Sequence, residues 1–152
     1  MASRKIEDLI PELQALYYRF QQKMIEAGLT FSVTCTLRSQ DEQIALYSQG
    51  RDSIETVHQR RKEASLPPIT EEQNKKVTWT LKSKHIEGKA FDIVLLKNNQ
   101  PIWDIKVNVN KNEIPDYQEA GLIGESVGLK WGGRFKNKAT NKPTPDYPHF
   151  EL

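Results

Sequence analysis

The stretch LKSKHIEGKAFDIVLL, residues 81–96, contains a histidine, His85, seven positions before an aspartate, Asp92. Gly88 lies between them, and the apolar residues around Asp92 are typical of a buried β-strand. Such a segment is either an ordinary loop that enters a strand or a loop that brings both side chains to one metal ion.

The spacing of His85 and Asp92 requires a turn if both bind one ion. In a continuous helix they would lie about 10 Å apart along the axis, and in an extended chain about 23 Å apart. A zinc ion needs both ligand atoms at about 2 Å. Gly88 permits the chain to fold back, because glycine tolerates backbone angles that other residues resist. Asp92 would then project from the start of a rigid strand.

A third ligand is available near the C-terminus. The chain has three histidines, His58, His85 and His149. Two imidazoles and a carboxylate are a usual set for catalytic zinc, with a fourth position open for water. We therefore predict one zinc ion held by His85, Asp92 and His149, and a surface position for His58 in the charged segment VHQRRK. The alternative is that the histidines are structural and no metal binds.

Hydrolysis at such a site also needs a base to accept a proton from water. Asp146 lies three residues before His149, and Pro148 prevents a helix between them. Glu151 is a competitor, because in an extended strand it points to the same side as His149. The spacing alone leaves both carboxylates open as the base.

Arg38 follows directly after a predicted strand, in the segment TLRSQDEQ. An arginine at a strand end can point into a cleft, where it binds a substrate carboxylate or stabilises a developing oxyanion. The alternative is a surface salt bridge with Asp41 or Glu42.

The composition predicts one globular domain. Hydrophobic residues make up 37% and charged residues 28% of the 152 residues, which suits a single core. The net charge of +2 is too small to indicate a nucleic-acid partner. The local basic clusters at residues 60–62 and 130–142 are either solvated faces or contacts for an anionic polymer. The single cysteine, Cys35, excludes an internal disulfide and is expected to be a buried, unreactive thiol.

No segment is long and apolar enough to span a membrane, and residues 1–20 lack the pattern of a signal peptide. We therefore expect synthesis in a cytoplasm without membrane insertion. Hydrophobic periodicity predicts helices at 5–27, 39–50 and 114–129, strands at 30–37, 90–96, 101–105 and 149–152, and a long excursion with a short helix or two at 51–80. This order favours an α+β fold with a mainly antiparallel sheet flanked by helices.

Four segments in this order resemble one known family. SKHIEGKAFD resembles the SxHxxGxAxD signature of the D-alanyl-D-alanine metallopeptidase group, and PDYPHFEL resembles its second signature, an acidic residue followed by x-Pro-His-Phe. TLRSQDEQIALYSQGR and GLKWGGRF resemble the segments that precede the two signatures. The group shares a zinc fold with lysostaphin-type enzymes and the hedgehog signalling domain, which implies a zinc site in a cleft of the sheet.

The resemblance implies roles for individual residues. It makes His85, Asp92 and His149 the ligands of one zinc ion and Asp146, rather than Glu151, the general base. It makes Arg38 the arginine that contacts substrate or stabilises charge. Two further motif residues are substrate-binding candidates: Ser83, which could instead only tie down its loop, and Trp131, which could instead only pack beside the cleft.

With an aspartate, Asp146, as the acidic residue before Pro-His, the chain resembles the L-alanyl-D-glutamate endopeptidases of bacteriophage endolysins. This implies a peptidoglycan hydrolase that cleaves the stem peptide and acts on the cell wall after release. We expect a monomer in which residues 1–152 form a single zinc peptidase domain without a separate wall-binding domain. The alternatives are a D-alanyl-D-alanine carboxypeptidase or dipeptidase, and a hedgehog-like zinc module that binds without hydrolysis.

Overall fold

The computed structural model describes residues 2–152, and within that range it contains four α-helices and five β-strands. In chain order they are α1 (Pro11–Glu26), β1 (Thr30–Cys35), α2 (Gln40–Ser48), α3 (Ile54–Glu63), β2 (Ala90–Lys97), β3 (Gln100–Ile102), α4 (Asp116–Ser126), β4 (Lys130–Trp131) and β5 (His149–Glu151). Short 3₁₀ turns occur at Ile6–Asp8, Lys84–Glu87 and Gly132–Arg134. The predicted α+β class is confirmed.

The five strands form one antiparallel sheet in the order β1-β2-β5-β4, and β3 pairs with the end of β2. The β2–β3 hairpin turns at Asn98 and Asn99, which have φ angles of 53° and 61°. Asparagine is favoured at both central positions of such a tight hairpin turn. The central strand β2 carries Asp92, so the sheet holds this residue between β1 and β5.

The core lies between α1, α4 and one face of the sheet. Phe91 of β2 and Phe150 of β5 are register partners whose stacked rings have centroids 5.5 Å apart. Phe20 of α1 packs on Phe150 with ring centroids 4.9 Å apart. All three phenylalanines are fully buried. Alternation along a strand sends their neighbours Asp92 and His149 to the opposite face of the sheet, which is where the candidate site forms.

Several predicted boundaries were wrong, two of them at prolines, and the strand expected at 101–105 ends at Ile102. The helix expected at 5–27 is a 3₁₀ turn followed by α1, because Pro11 disfavours helical angles at the residue before it. Pro115 likewise stands before α4, which begins at Asp116 rather than at residue 114. The strand expected at 30–37 ends at Cys35, where the backbone turns towards Arg38. The excursion over 51–80 contains one helix, α3, as expected.

Among the helices of residues 2–152, none has the length and apolar character needed to cross a membrane.

Candidate metal centre

The sheet places Asp92 opposite His149. The two residues are register partners of β2 and β5, and Oδ1 of Asp92 lies 3.0 Å from Nδ1 of His149. The second carboxylate oxygen, Oδ2, lies 3.2 Å from Nε2 of His85. The two imidazole rings are close, with centroids 5.1 Å apart. One carboxylate therefore faces a nitrogen of each histidine.

His85 reaches Asp92 because the chain turns tightly between them. His85 lies in the 3₁₀ turn Lys84–Glu87, and its backbone N–H donates to Oγ of Ser83 at 3.2 Å. Gly88 ends the turn with φ of 68°, a left-handed angle that favours glycine. The fold-back expected at Gly88 is confirmed. Ser83 caps this turn, which is the loop-tying role expected as its alternative, and no contact in the structure tests its role in substrate binding.

The two nitrogens of the His85 ring have different surroundings. Nδ1 lies 2.7 Å from the carbonyl oxygen of Thr36, which can only accept, so Nδ1 carries the proton. In the neutral ring Nε2 then presents a lone pair. Nε2 is buried, and within residues 2–152 it meets the geometry of a hydrogen bond with no group, its neighbour being Oδ2 of Asp92 at 3.2 Å. A buried ring nitrogen that has a lone pair, makes no hydrogen bond and lies beside a carboxylate is suited to bind a metal.

His149 is enclosed by acidic groups on both sides. Besides the contact of Nδ1 with Asp92, Nε2 lies 3.1 Å from Oε1 of Glu151. In the neutral ring only one nitrogen carries the proton, and the tautomer with the proton on Nε2 donates to Glu151, because a carboxylate accepts but does not donate. That tautomer leaves the lone pair of Nδ1 facing Asp92, which is the arrangement that a metal ligand needs.

Without a metal, these contacts favour protonated imidazoles. Burial opposes the charge, but the close contact with the Asp92 carboxylate, its negative charge and the contact with Sγ of Cys35 raise the pKa of His85 to about 10. For His149, burial is likewise outweighed by hydrogen bonds to Asp92 and Glu151, and the pKa rises to about 9. Burial raises the pKa of Asp92, but the two histidines outweigh it and hold the pKa far below its ordinary value. The site therefore favours positive charge between its three side chains, which a divalent cation also supplies.

Asp146 joins this cluster from the loop before β5. Ligand atoms of Asp92, Asp146 and His149 all lie within 4.8 Å of one another. The backbone N–H of Asp146 donates to the carbonyl oxygen of Gly132 at 2.8 Å, and a Cβ at Gly132 would lie 2.2 Å from the carbonyl oxygen of Asp146. A residue with a side chain at 132 would therefore push Asp146 away. Asp146 is an exposed residue, but the desolvation of its carboxylate on the side of the cluster, followed by the charge of Asp92, raises its pKa.

Cys35, His85 and Asp92 form a second cluster with the spacing of metal ligands. Sγ of Cys35 lies 3.5 Å from Nδ1 of His85, which is the nitrogen bonded to Thr36, whereas Asp92 faces Nε2. A metal bound to both Cys35 and Asp92 would need a lone pair on Nδ1, but Nδ1 carries the proton that it donates to Thr36. The set with an available lone pair on each imidazole is His85, Asp92 and His149, with Asp146 beside it. These residue types and atoms fit a zinc ion.

Arg38 lies at the edge of the same site. Its backbone N–H donates to the carbonyl oxygen of His85 at 3.0 Å. Nη1 donates to Oε1 of Gln43 at 2.8 Å, and Nε lies 3.4 Å from Oε2 of Glu42. The ion pair with Glu42 that we considered as an alternative is therefore present, but it is buried beside the site rather than at the surface. Arg38 also lines a cavity of about 390 Å³ together with Leu37, Ser39, Gln40, Ile86 and Ser3.

Trp131 lies behind the site rather than in it. Its side chain is buried, and Nε1 donates to the carbonyl oxygen of Tyr147 at 2.9 Å. A Cβ at Gly121 of α4 would lie 2.2 Å from this ring, so the indole fills the space that glycine leaves. These contacts are those of a packing residue, and its role in substrate binding stays a prediction.

Comparison with known families decides the assignment. A model of the family described as D-alanyl-D-alanine carboxypeptidase matches residues 76–152, about half of the chain. The chain belongs to this family. The resemblance predicted from the sequence motifs is confirmed, and the chain is a peptidase. The match includes His85, Asp92, Asp146 and His149.

Two solved structures are similar to this D-alanyl-D-alanine carboxypeptidase family member. The L-Ala D-Glu endopeptidase ChiX of Serratia marcescens matches with a TM-score of 0.59 and 19% identity, over 100% of this chain and 88% of that one. The LD-carboxypeptidase LdcB matches with a TM-score of 0.53 and 14% identity, over 95% of this chain and 58% of that one. At these identities the likeness shows a shared fold.

Three parts of the site were not found from the sequence. Thr36 acts through its backbone carbonyl, which any residue would provide, so no sequence signal marks it. Gln43 is fully buried and accepts a hydrogen bond from Arg38. In the sequence, only its position one turn after the start of the helix indicates a side chain that points inwards. The sequence indicates Glu151 as a possible base but does not indicate that it contacts Nε2 of His149.

Proposed function

We propose that this peptidase is a zinc-dependent peptidoglycan hydrolase that cleaves the L-alanyl-D-glutamate bond of the stem peptide. The observation that carries the proposal is the arrangement of Nε2 of His85 and Nδ1 of His149 on the two oxygens of Asp92. In the neutral rings each of these nitrogens can offer a lone pair, because the other ring nitrogen donates to Thr36 or Glu151.

Each residue of the site has a separate role in the proposed hydrolysis. Zinc held by His85, Asp92 and His149 would lower the pKa of a bound water and polarise the scissile carbonyl. Asp146 accepts the proton of the attacking water and returns it to the departing amine. Its raised pKa suits this role, because a base is most effective when its pKa approaches the working pH. Arg38 binds a substrate carboxylate or the negative charge that develops on the carbonyl oxygen.

Two observations support the choice of the scissile bond. The PDYPHFEL segment places aspartate at the acidic position, as in the bacteriophage enzymes that cleave L-alanyl-D-glutamate, and ChiX is an L-Ala D-Glu endopeptidase of similar fold. A second candidate, removal of D-alanine, is favoured by the description of the family. The carboxylate of Asp146 beside the ligands argues against a module that binds zinc without hydrolysis.

The test is mass spectrometry of purified peptidoglycan after digestion, with and without 1,10-phenanthroline, which binds zinc. We expect new N-terminal D-glutamate, or its amide, that disappears when the chelator is present. Release of D-alanine instead would favour the carboxypeptidase. No cleavage of several wall chemotypes by protein with one bound zinc ion would refute both.

The resemblance to endolysins also supports a role in host lysis by a bacteriophage, with the monomer acting on the wall after its release from the cytoplasm. The expected result is a fall in the turbidity of permeabilised bacteria on addition of the protein. Asp146→Asn is the control and should leave the turbidity unchanged.

A further inference from the structure

The loop between β3 and α4 has regularly spaced oxygen-bearing side chains. Counting residues 108–119 as one to twelve, they occupy positions one, three, five, nine and twelve: Asn108, Asn110, Asn112, Asp116 and Glu119. These are positions that supply ligands in the twelve-residue calcium loops of EF-hands, in which position twelve is a glutamate. As in those loops, a helix begins near the end: Asp116 is the first residue of α4 and Glu119 lies in its first turn.

The fold brings the end of this loop back onto its start. Oε1 of Glu119 accepts from Nδ2 of Asn110 at 2.7 Å and also from Nδ2 of Asn112. A half-turn of an asparagine amide exchanges the places of its nitrogen and oxygen. In the present orientation Nδ2 of Asn110 also donates to the carbonyl oxygen of Ala27, and Oδ1 of Asn112 accepts from the N–H of Ile114. A bound cation would have to replace these two hydrogen bonds for both amide oxygens to face the space beside the Glu119 carboxylate.

Asp116 supplies an independent observation at this loop. The residue is only 1% exposed, and Oδ2 accepts from the backbone N–H of Val109, inside the loop, at 2.7 Å. Oδ1 of the same carboxylate is buried without a hydrogen-bond partner anywhere in residues 2–152. Burial raises the pKa of Asp116, and the nearby charge of Glu119 raises it further. A buried carboxylate with an unpaired oxygen beside a second carboxylate is costly unless a cation compensates it.

We propose that residues 108–119 bind a calcium ion through side-chain oxygens of Asn110, Asn112, Asp116 and Glu119, with Asn108 completing the set. The ligands are all hard oxygens, which suit calcium rather than zinc. The site uses none of the zinc ligands and does not depend on the proposed hydrolysis.

The ligand charges predict a weak site. Only two of the five side chains are carboxylates, and position six, usually glycine, is Glu113. Calcium affinity falls as the number of charged ligands falls, and we expect a dissociation constant on the order of 0.1–1 mM, as in extracellular calcium modules. Binding would fix the start of α4, the helix that packs on Trp131 through Gly121.

The experiment is a calorimetric titration of the zinc-loaded protein with calcium chloride, together with thermal unfolding in calcium or magnesium. We expect saturable binding of one calcium ion and a rise in Tm that magnesium does not reproduce at the same concentration. Glu119→Gln keeps the shape and the hydrogen-bond acceptor but removes a charged ligand, so calcium affinity should fall by about tenfold or more. Glu113→Gln makes the same charge change in the same loop at an exposed side chain, and should leave the affinity unchanged.

A gain-of-affinity variant makes the test independent of any folding defect. Asn112→Asp adds a charged ligand at position five and should tighten calcium binding by about tenfold. No calcium-dependent heat or Tm shift in the wild-type protein would overturn the proposal. Equal losses in Glu119→Gln and Glu113→Gln, an unchanged affinity in Asn112→Asp, or an equal response to magnesium would also overturn it.

Discussion

At the scale of single residues, His149 depends on Glu151 for its chemistry. The imidazole lies between Asp92 at Nδ1 and Glu151 at Nε2, and the ring cannot offer a lone pair to a metal from both nitrogens. Glu151 is only 14% exposed in its side chain, so water does not readily replace it as the acceptor. With Nδ1 on the proposed zinc ion, Glu151 would accept the hydrogen bond of the protonated Nε2 and so hold the ring in place.

Glu151→Gln should weaken zinc binding by about 10–100-fold, the usual cost of losing the partner of a ligating histidine. A glutamine can turn its amide nitrogen towards Nε2 and so no longer selects the tautomer. Competition with a zinc chelator measures the change. Glu87→Gln is the control, because Glu87 is exposed in the turn that carries His85. Equal zinc affinities of the wild-type protein and Glu151→Gln would show that Glu151 does not orient the ligand.

Asp146→Asn should retain stoichiometric zinc and lose about 10²–10⁴-fold in turnover, the usual contribution of a general base. Asparagine has the same shape but cannot accept the proton. Zinc content by mass spectrometry and the rate of N-terminal glutamate release measure the two effects. Asp41→Asn, an exposed position on α2, is the matched control. Turnover that survives in Asp146→Asn would remove this residue as the base.

At the scale of elements, α2 connects Arg38 to an irregular segment, residues 76–82, which we call the strap. Gln43 of α2 donates to the carbonyl oxygen of Thr80 at 2.7 Å and to Oγ1 of Thr78 at 3.3 Å, and it accepts from Arg38. Thr78 and Thr80 face α2, so the alternate strap residues Val77, Trp79 and Leu81 project outwards and are exposed. Gln43 therefore fixes both Arg38 and the strap.

Gln43→Ala should raise KM about tenfold with a smaller change in kcat, because it frees Arg38 and the strap but leaves the metal ligands in place. A tenfold rise in KM corresponds to about 1.4 kcal/mol of binding free energy, close to the loss of one hydrogen bond to a charged group. Initial rates on soluble stem peptides measure both parameters. Gln59→Ala, an exposed glutamine of α3, should behave as wild type. A fall in kcat alone would contradict this role.

At the scale of the whole molecule, the proposed zinc binding would be coupled to folding through the two histidines. In the metal-free protein the folded state raises the pKa of His85 to about 10 and of His149 to about 9, from an ordinary value of 6.5. Folding therefore favours the protonated rings. Zinc needs the neutral rings instead, so protons and zinc compete for the same side chains.

The Tm of metal-free protein should fall as pH rises from 6.5 towards 9–10. The stabilisation by protonated histidine is complete below the unfolded pKa and is lost as pH passes the folded value. The rise in Tm on adding zinc should grow over the same window, because fewer protons must be displaced. Scanning calorimetry with and without zinc measures both trends. A metal-free Tm that stays level or rises over this window would contradict the prediction.

The sequence by itself determined the elements and the types of residue in the site. Period-two and period-3.6 patterns reflect local chemistry, so they predicted α1, β2, α4 and the α+β class. Gly88 marked the fold-back before Asp92 because its left-handed angle is a local requirement. Helix starts were less certain, since Pro11 and Pro115 act on the residues before them.

Only the tertiary structure decided how these residues meet. The register of β2 and β5, set by packing of Phe91 on Phe150, places Asp92 opposite His149 although 57 positions separate them. The same pairing puts Glu151 on one nitrogen of His149 and Asp92 on the other, a distinction that alternation along a strand cannot make. Contacts between distant segments depend on how the faces of helices and strands fit together, and no local pattern contains that information.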